Sequence, residues 1–147
     1  MCLCDNKRRM SNQICMYKIL LTLIPALIAN TVMADWSLVD KSADGSAAIY
    51  TDFDTTQKTE DKVKMWSLGD FKTTKEFSDI QFLSSKYHKE YDCEQEQARM
   101  LAFTLFSSNM GEGQVVYSNS EPDEWEPVAP KSVAKTLWEI ACGKLPE

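Results

Sequence analysis

The stretch Lys86-Tyr87-His88-Lys89-Glu90-Tyr91-Asp92-Cys93-Glu94-Gln95 decides how the rest of the chain is read. At period two it places Tyr87, Lys89, Tyr91, Cys93 and Gln95 on one side. His88, Glu90, Asp92 and Glu94 fall on the other. Such alternation marks a β-strand with one packed face and one wet face. Cys93 falls on the packed side, where a covalent partner would tie a second element onto the sheet.

Upstream, residues 62–71 alternate with Val63 and Met65 on one face and Trp66 and Leu68 on the other. Apolar groups on both faces predict a central strand, covered on both sides. Residues 36–41 and 47–51 read as shorter strands joined by Ser42-Ala43-Asp44-Gly45, whose Asp-Gly step accepts the positive φ of a tight hairpin. Residues 52–61 are polar and aperiodic and read as a long connection. Residues 72–85, with Phe77, Ile80, Phe82 and Leu83 among charges, read as an irregular excursion or a single helical turn.

Downstream, residues 98–107 alternate Met100, Ala102 and Phe106 with Leu101, Phe103 and Leu105, a further strand reached through a bend that has no Gly or Pro. Residues 109–113 are a turn and residues 114–118 a last strand. Residues 118–130 hold Pro122, Pro127 and Pro130 and a single large apolar side chain, Trp125. Proline keeps such a segment out of helix and ladder, so it reads as an extended loop. A helix then starts at the N-cap Ser132, with Val133, Ala134, Leu137, Ile140 and Ala141 as its apolar face and Gly143 as its terminator. Cys142 lies on its last turn. The expected fold class is α+β: an antiparallel sheet of about six strands with a C-terminal helix packed on it.

At 147 residues, 44% hydrophobic and 26% charged, the chain suits one folded domain. Its net charge of −6 argues against a nucleic-acid partner. The N-terminus has the layout of an export signal. Lys7, Arg8, Arg9 and Lys18 precede an apolar run over residues 19–28, and Val32-Met33-Ala34 supplies a cleavage site. The run, with Pro25 and Asn30 in or near it, is shorter than the roughly twenty apolar residues a spanning helix needs. Residues 1–34 are therefore read as a signal peptide and residues 35–147 as the domain, with no integral membrane span after cleavage. Met10 and Met16 are alternative starts, the second giving the most compact signal.

Cleavage after Ala34 removes Cys2, Cys4 and Cys15 and leaves Cys93 and Cys142 in a compartment where disulfides persist. Neither sits in a Cys-x-x-Cys motif, so the pair reads as structural rather than redox-active. None of the removed cysteines follows the apolar run as a lipid-attachment site would. The expected location is periplasmic, cell-surface or secreted, without a lipoprotein anchor.

Candidate chemistry is sparse. His88, Glu90, Asp92 and Glu94 could face a metal together, since residues two apart on a strand point one way. One imidazole among carboxylates is weak ligand chemistry, and the cluster reads as a solvated charged face. The lone histidine has no serine or cysteine at motif spacing, and Gly111-Glu112-Gly113 is too short to cradle a phosphate. The expectation is a non-enzyme with no metal and no cofactor. Trp36, Trp66 and Trp138 lie in regular elements and read as core. Trp125 is either a lid over the sheet or an exposed contact residue, and it is the one candidate binding residue.

Tyr91-Asp92-Cys93, Gly111-x-Gly113 leading into Val115-Val116-Tyr117, and Ser120-x-Pro122-x-x-Trp125-x-Pro127-Val128-x-Pro130-x-Ser132 before a helix ending in Ala141-Cys142 together resemble the surface-adhesin protein E family. Val63-x-x-Trp66-x-Leu68-x-Asp70 is similar to that family as well. The resemblance spans Trp36 to Gly143. It implies an antiparallel sheet whose C-terminal helix is bound by a disulfide, at Cys93 and Cys142 in this sequence. It also implies an adhesin that contacts host matrix or plasma proteins. Two readings follow. One is an exported, non-enzymatic, adhesin-like binding protein; the other is a periplasmic, envelope-associated module that binds another bacterial protein. A homodimer is compatible with both.

Overall fold

The computed structural model describes residues 35–144. The expected signal peptide, the alternative starts and Cys2, Cys4 and Cys15 lie outside the described residues. Within them, β1 (Trp36–Lys41), β2 (Ala47–Thr59), β3 (Lys62–Phe77), β4 (Ile80–Asp92), β5 (Gln97–Phe106) and β6 (Val115–Asn119) form one antiparallel meander in sequence order. A short β7 (Glu126–Pro127) pairs with β5 beside Gln97 and Ala98, and α1 (Val133–Ala141) follows. The expected α+β architecture is the observed one.

β3 has the central place its two-sided pattern predicts. It lies between β2 and β4, and Val63, Met65 and Leu68 are at most 1% exposed although they point to both faces. The strands are longer than the sequence pattern suggests. Residues 52–61 are not a loose connection: β2 runs on to Thr59 after a register slip between Asp52 and Gln57. The Asp52 carboxylate accepts the amides of Asp54 and Thr55 and shapes that bulge. Pairing resumes from Gln57↔Lys64 to Thr59↔Lys62. Both sides of this arm are largely solvated, so nothing selects apolar residues at alternate positions.

Residues 72–85 likewise form no helical turn. They are the ends of β3 and β4, paired from Lys75↔Phe82 to Phe77↔Ile80. The turn is Ser78-Asp79, with φ of 48° and 65°. Two consecutive positive-φ residues are the geometry of a type I′ hairpin, achieved here without glycine.

The β4–β5 turn corrects the place of Cys93. β4 ends at Asp92, whose carboxylate Oδ1 accepts the amides of Glu94 and Gln95 at 3.0 and 2.9 Å. Glu96 takes a positive φ of 55°. Cys93 is therefore in the turn just beyond the strand, not on its packed face.

α1 starts where its cap predicts. The Ser132 hydroxyl accepts the Lys135 amide at 3.2 Å, and Gly143 leaves the helix with φ 65°. Leu137 and Trp138 are the buried helix residues and pack with Met65, Tyr91 and Val128 into one core. Val133, expected on the apolar face, is 40% exposed, because the helix rolls to bring Trp138 inward. Cys142 bonds to Cys93 with a Cα–Cα distance of 5.5 Å across 49 positions of sequence. Toward the other end of the sheet, the tip of the β3–β4 arm places Phe77 against Phe103 and Tyr117, with ring centroids 5.7 and 5.5 Å away.

Candidate binding surface

The register of β3, β4 and β5 fixes what the face opposite α1 carries. Lys62 pairs with Asp92, Lys64 with Glu90, Trp66 with His88, and Glu90 in turn with Arg99. Alternation puts these side chains on one face, away from Val63, Met65 and Tyr91.

The expected solvated charged face is not what forms. Glu90 and Asp92 are each only 7% exposed, and each has a cation. Arg99 donates from Nε and Nη2 to Glu90 Oε2 at 2.8 and 2.6 Å. Lys62 Nζ donates to Asp92 Oδ2 at 2.6 Å. That bond, helped by the amides of the β4–β5 turn, holds the Asp92 carboxyl below its ordinary range and raises Lys62. The imidazole of His88 stacks on Trp66 with centroids 4.5 Å apart and planes 5° from parallel. Burial, and then the nearby Lys64, lower its pKa, against a smaller opposing pull from Glu90. The carboxylates are thus committed to Arg99 and Lys62. Among the described residues no group of three or more His, Cys, Asp or Glu is poised around a metal.

Trp125 arrives by way of a strap. Residues 120–130 run along the free edge of β5. Asp123 donates its amide to the Met100 carbonyl at 2.9 Å, Glu126 and Pro127 pair with Ala98 and Gln97, and Val128 donates to the Glu96 carbonyl at 3.0 Å. The strap therefore alternates like a strand, although proline prevents a full ladder. Trp125 swings onto the outer face. Its ring lies 4.6 Å from the Arg99 guanidinium carbon and 5.2 Å from Lys62 Nζ, and it stays half-buried. Contacts of this type contribute roughly 0.5–1 kcal/mol each at exposed sites. The result is a band of Trp125, Arg99, Lys62, Lys64, Trp66 and His88 on the outer face of the sheet.

Of the residues singled out from sequence, Trp125 lies in this band, while Cys93 and Cys142 lie at the helix end and hold the scaffold. The sequence reading overlooked Arg99 and Lys62. Their signal was present as opposite charges that fall across from Glu90 and Asp92 once the strands are paired.

The model of the surface-adhesin protein E family matches residues 36–143. The chain belongs to the surface-adhesin protein E family. Solved structures of Haemophilus influenzae protein E share the fold of this family member. One is 12% identical, with a TM-score of 0.56 over 76% of this chain and 86% of that one. A second crystal form is 10% identical, with a TM-score of 0.56 over 72% and 87%. A structure of the protein from a non-typeable strain is 11% identical, with a TM-score of 0.51 over 78% and 79%. No curated protein matches this chain in sequence. Among the described residues of this adhesin-family chain, no helix is long and apolar enough to cross a membrane.

Proposed function

We propose that this chain is an exported, non-enzymatic binding protein of the adhesin type, which contacts host matrix or plasma proteins through the outer sheet face around Trp125. The observation that carries the reading is the half-buried Trp125 ring set against Arg99 and Lys62. Trp and Arg are the side chains that most often dominate protein interfaces, and here both are held by the sheet before any partner arrives. Family membership supports the adhesin class. The N-terminal signal pattern and the Cys93–Cys142 bond support export, since disulfides persist outside the cytosol. The non-enzymatic part rests on side chains already committed: His88 stacked on Trp66, and Glu90 and Asp92 ion-paired.

The test has two arms. The exported domain should bind immobilised laminin or vitronectin saturably, and silence on both would count against host adhesion. Protease added to intact cells should cut the domain. Protection would remove the surface location and leave the alternative, a periplasmic envelope module that binds another bacterial protein.

A further inference from the structure

Where β4, β5, the strap and α1 meet, they border a half-open cavity of about 250 Å³. Lys89 comes up between Met65 and Met100, its register partners on β3 and β5. Asp123 and Glu126 descend from the strap, while Met100, Val128 and Ala134 supply apolar wall. Lys89 differs from the other cations near the strap and helix. Lys62, Arg99 and Lys135 each hold a carboxylate, whereas no carboxylate of the described residues lies within ion-pair distance of Lys89. Burial lowers its pKa, and the charges of Glu126 and Asp123 act against that from farther off. The cavity is thus lined by an ammonium without an ion-pair partner among the described residues, by carboxylates of the strap and by apolar surface.

We propose that this cavity binds a free amino acid with an aliphatic side chain, its carboxylate on Lys89 and its ammonium on Asp123 and Glu126. Arg99 also borders the cavity but is spent on Glu90, so a simple anion would meet the repulsion of Asp123, Glu124 and Glu126, and a simple cation would leave the Lys89 ammonium unpaired. A zwitterion satisfies both ends at once. The volume is below the roughly 300–1,000 Å³ of pockets for drug-sized ligands, which limits the occupant to something near one residue in size. The cavity also borders Arg99, whose guanidinium lies against Trp125, whereas Lys89 and Glu126 stand outside that contact.

The probes are L-leucine, N-acetyl-L-leucine and L-leucinamide, titrated into the isotope-labelled exported domain and followed by amide NMR shifts. L-leucine should shift Ala98, Met100 and Ala134 saturably with a millimolar or tighter Kd, and removing either charge should weaken binding by about tenfold or more. Lys89→Met should abolish the shifts while the rest of the spectrum persists, since methionine suits a place between Met65 and Met100. Should that variant not fold, Glu126→Gln on the exposed strap should weaken L-leucine and leave N-acetyl-L-leucine unchanged. No shifts with L-leucine, equal binding of all three probes, undiminished binding in Lys89→Met, or equal loss of both ligands in Glu126→Gln would each overturn the proposal.

Discussion

The indole Nε1–H of Trp138 donates to the main-chain carbonyl of Asp92 at 2.8 Å, inside the core. The next residue, Cys93, carries the covalent link to Cys142. α1 is therefore fastened to a single point of the sheet twice, by a buried hydrogen bond and by a disulfide. The same residue, Asp92, turns its side chain to the opposite face and holds Lys62 there. One position thus couples the anchoring of the helix to the layout of the outer-face band.

Trp138→Phe keeps an aromatic ring in the core but leaves the Asp92 carbonyl without its donor. A buried group left unpaired costs about 1–3 kcal/mol, to which lost packing adds. The midpoint of urea unfolding should fall accordingly; an unchanged midpoint would mean the bond contributes nothing.

Cys142→Ser tests the second fastening. Opening a loop with 49 positions between its ends should cost about 4 kcal/mol in the chain-entropy treatment, less any native strain. A markedly lower Tm with an unaltered far-UV circular dichroism spectrum is expected. Loss of the β-sheet signal at room temperature would instead make the bond a condition for folding.

Acid should act through Asp92. Its folded-state pKa lies below the ordinary carboxylate value because Lys62 and the turn amides favour the charged form. Its stabilisation is therefore complete above an unfolded pKa of about 3.9 and is lost as pH falls through the folded value. Lys62→Met should lower stability near neutral pH, and the gap to wild type should close below about pH 4. A gap that stays constant with pH would show that Lys62 acts by packing and not by charge.

Gly111 has φ 71°, and a Cβ there would run into the Lys86 side chain. To make way, Lys86 would have to shift its ammonium, which lies 5.0 Å from the Phe106 ring and 5.7 Å from that of Trp36. Gly111→Ala should cost about 1–2 kcal/mol for the left-handed backbone alone, with more from the displaced lysine. Calorimetry showing no loss would mean that the 109–111 turn can be rebuilt freely.

The sequence discloses what the core selects and little else. β3 was legible because Val63 and Met65 are buried on one face and Leu68 on the other. The helix was legible through Ser132 and Gly143, which cap it by local chemistry. The arms at residues 52–59 and 72–79 were not, because solvated strands impose no alternation and Ser78-Asp79 lacks the glycine that signals a tight turn. Asp92 hid the β4–β5 turn in the same way, replacing glycine with side-chain acceptance of two amides. The outer-face band was half legible. Trp125 stood out by its isolation, but the roles of Arg99 and Lys62 exist only through strand register.

The binding face is tested most directly by comparing wild type with Trp125→Ala for affinity to immobilised laminin and vitronectin. If Trp125 anchors the contact, the variant should bind about tenfold more weakly or worse while its Tm falls only slightly, since the ring is half-buried at the sheet edge. Equal affinity of the two proteins, with wild type binding saturably, would contradict the assignment of this face.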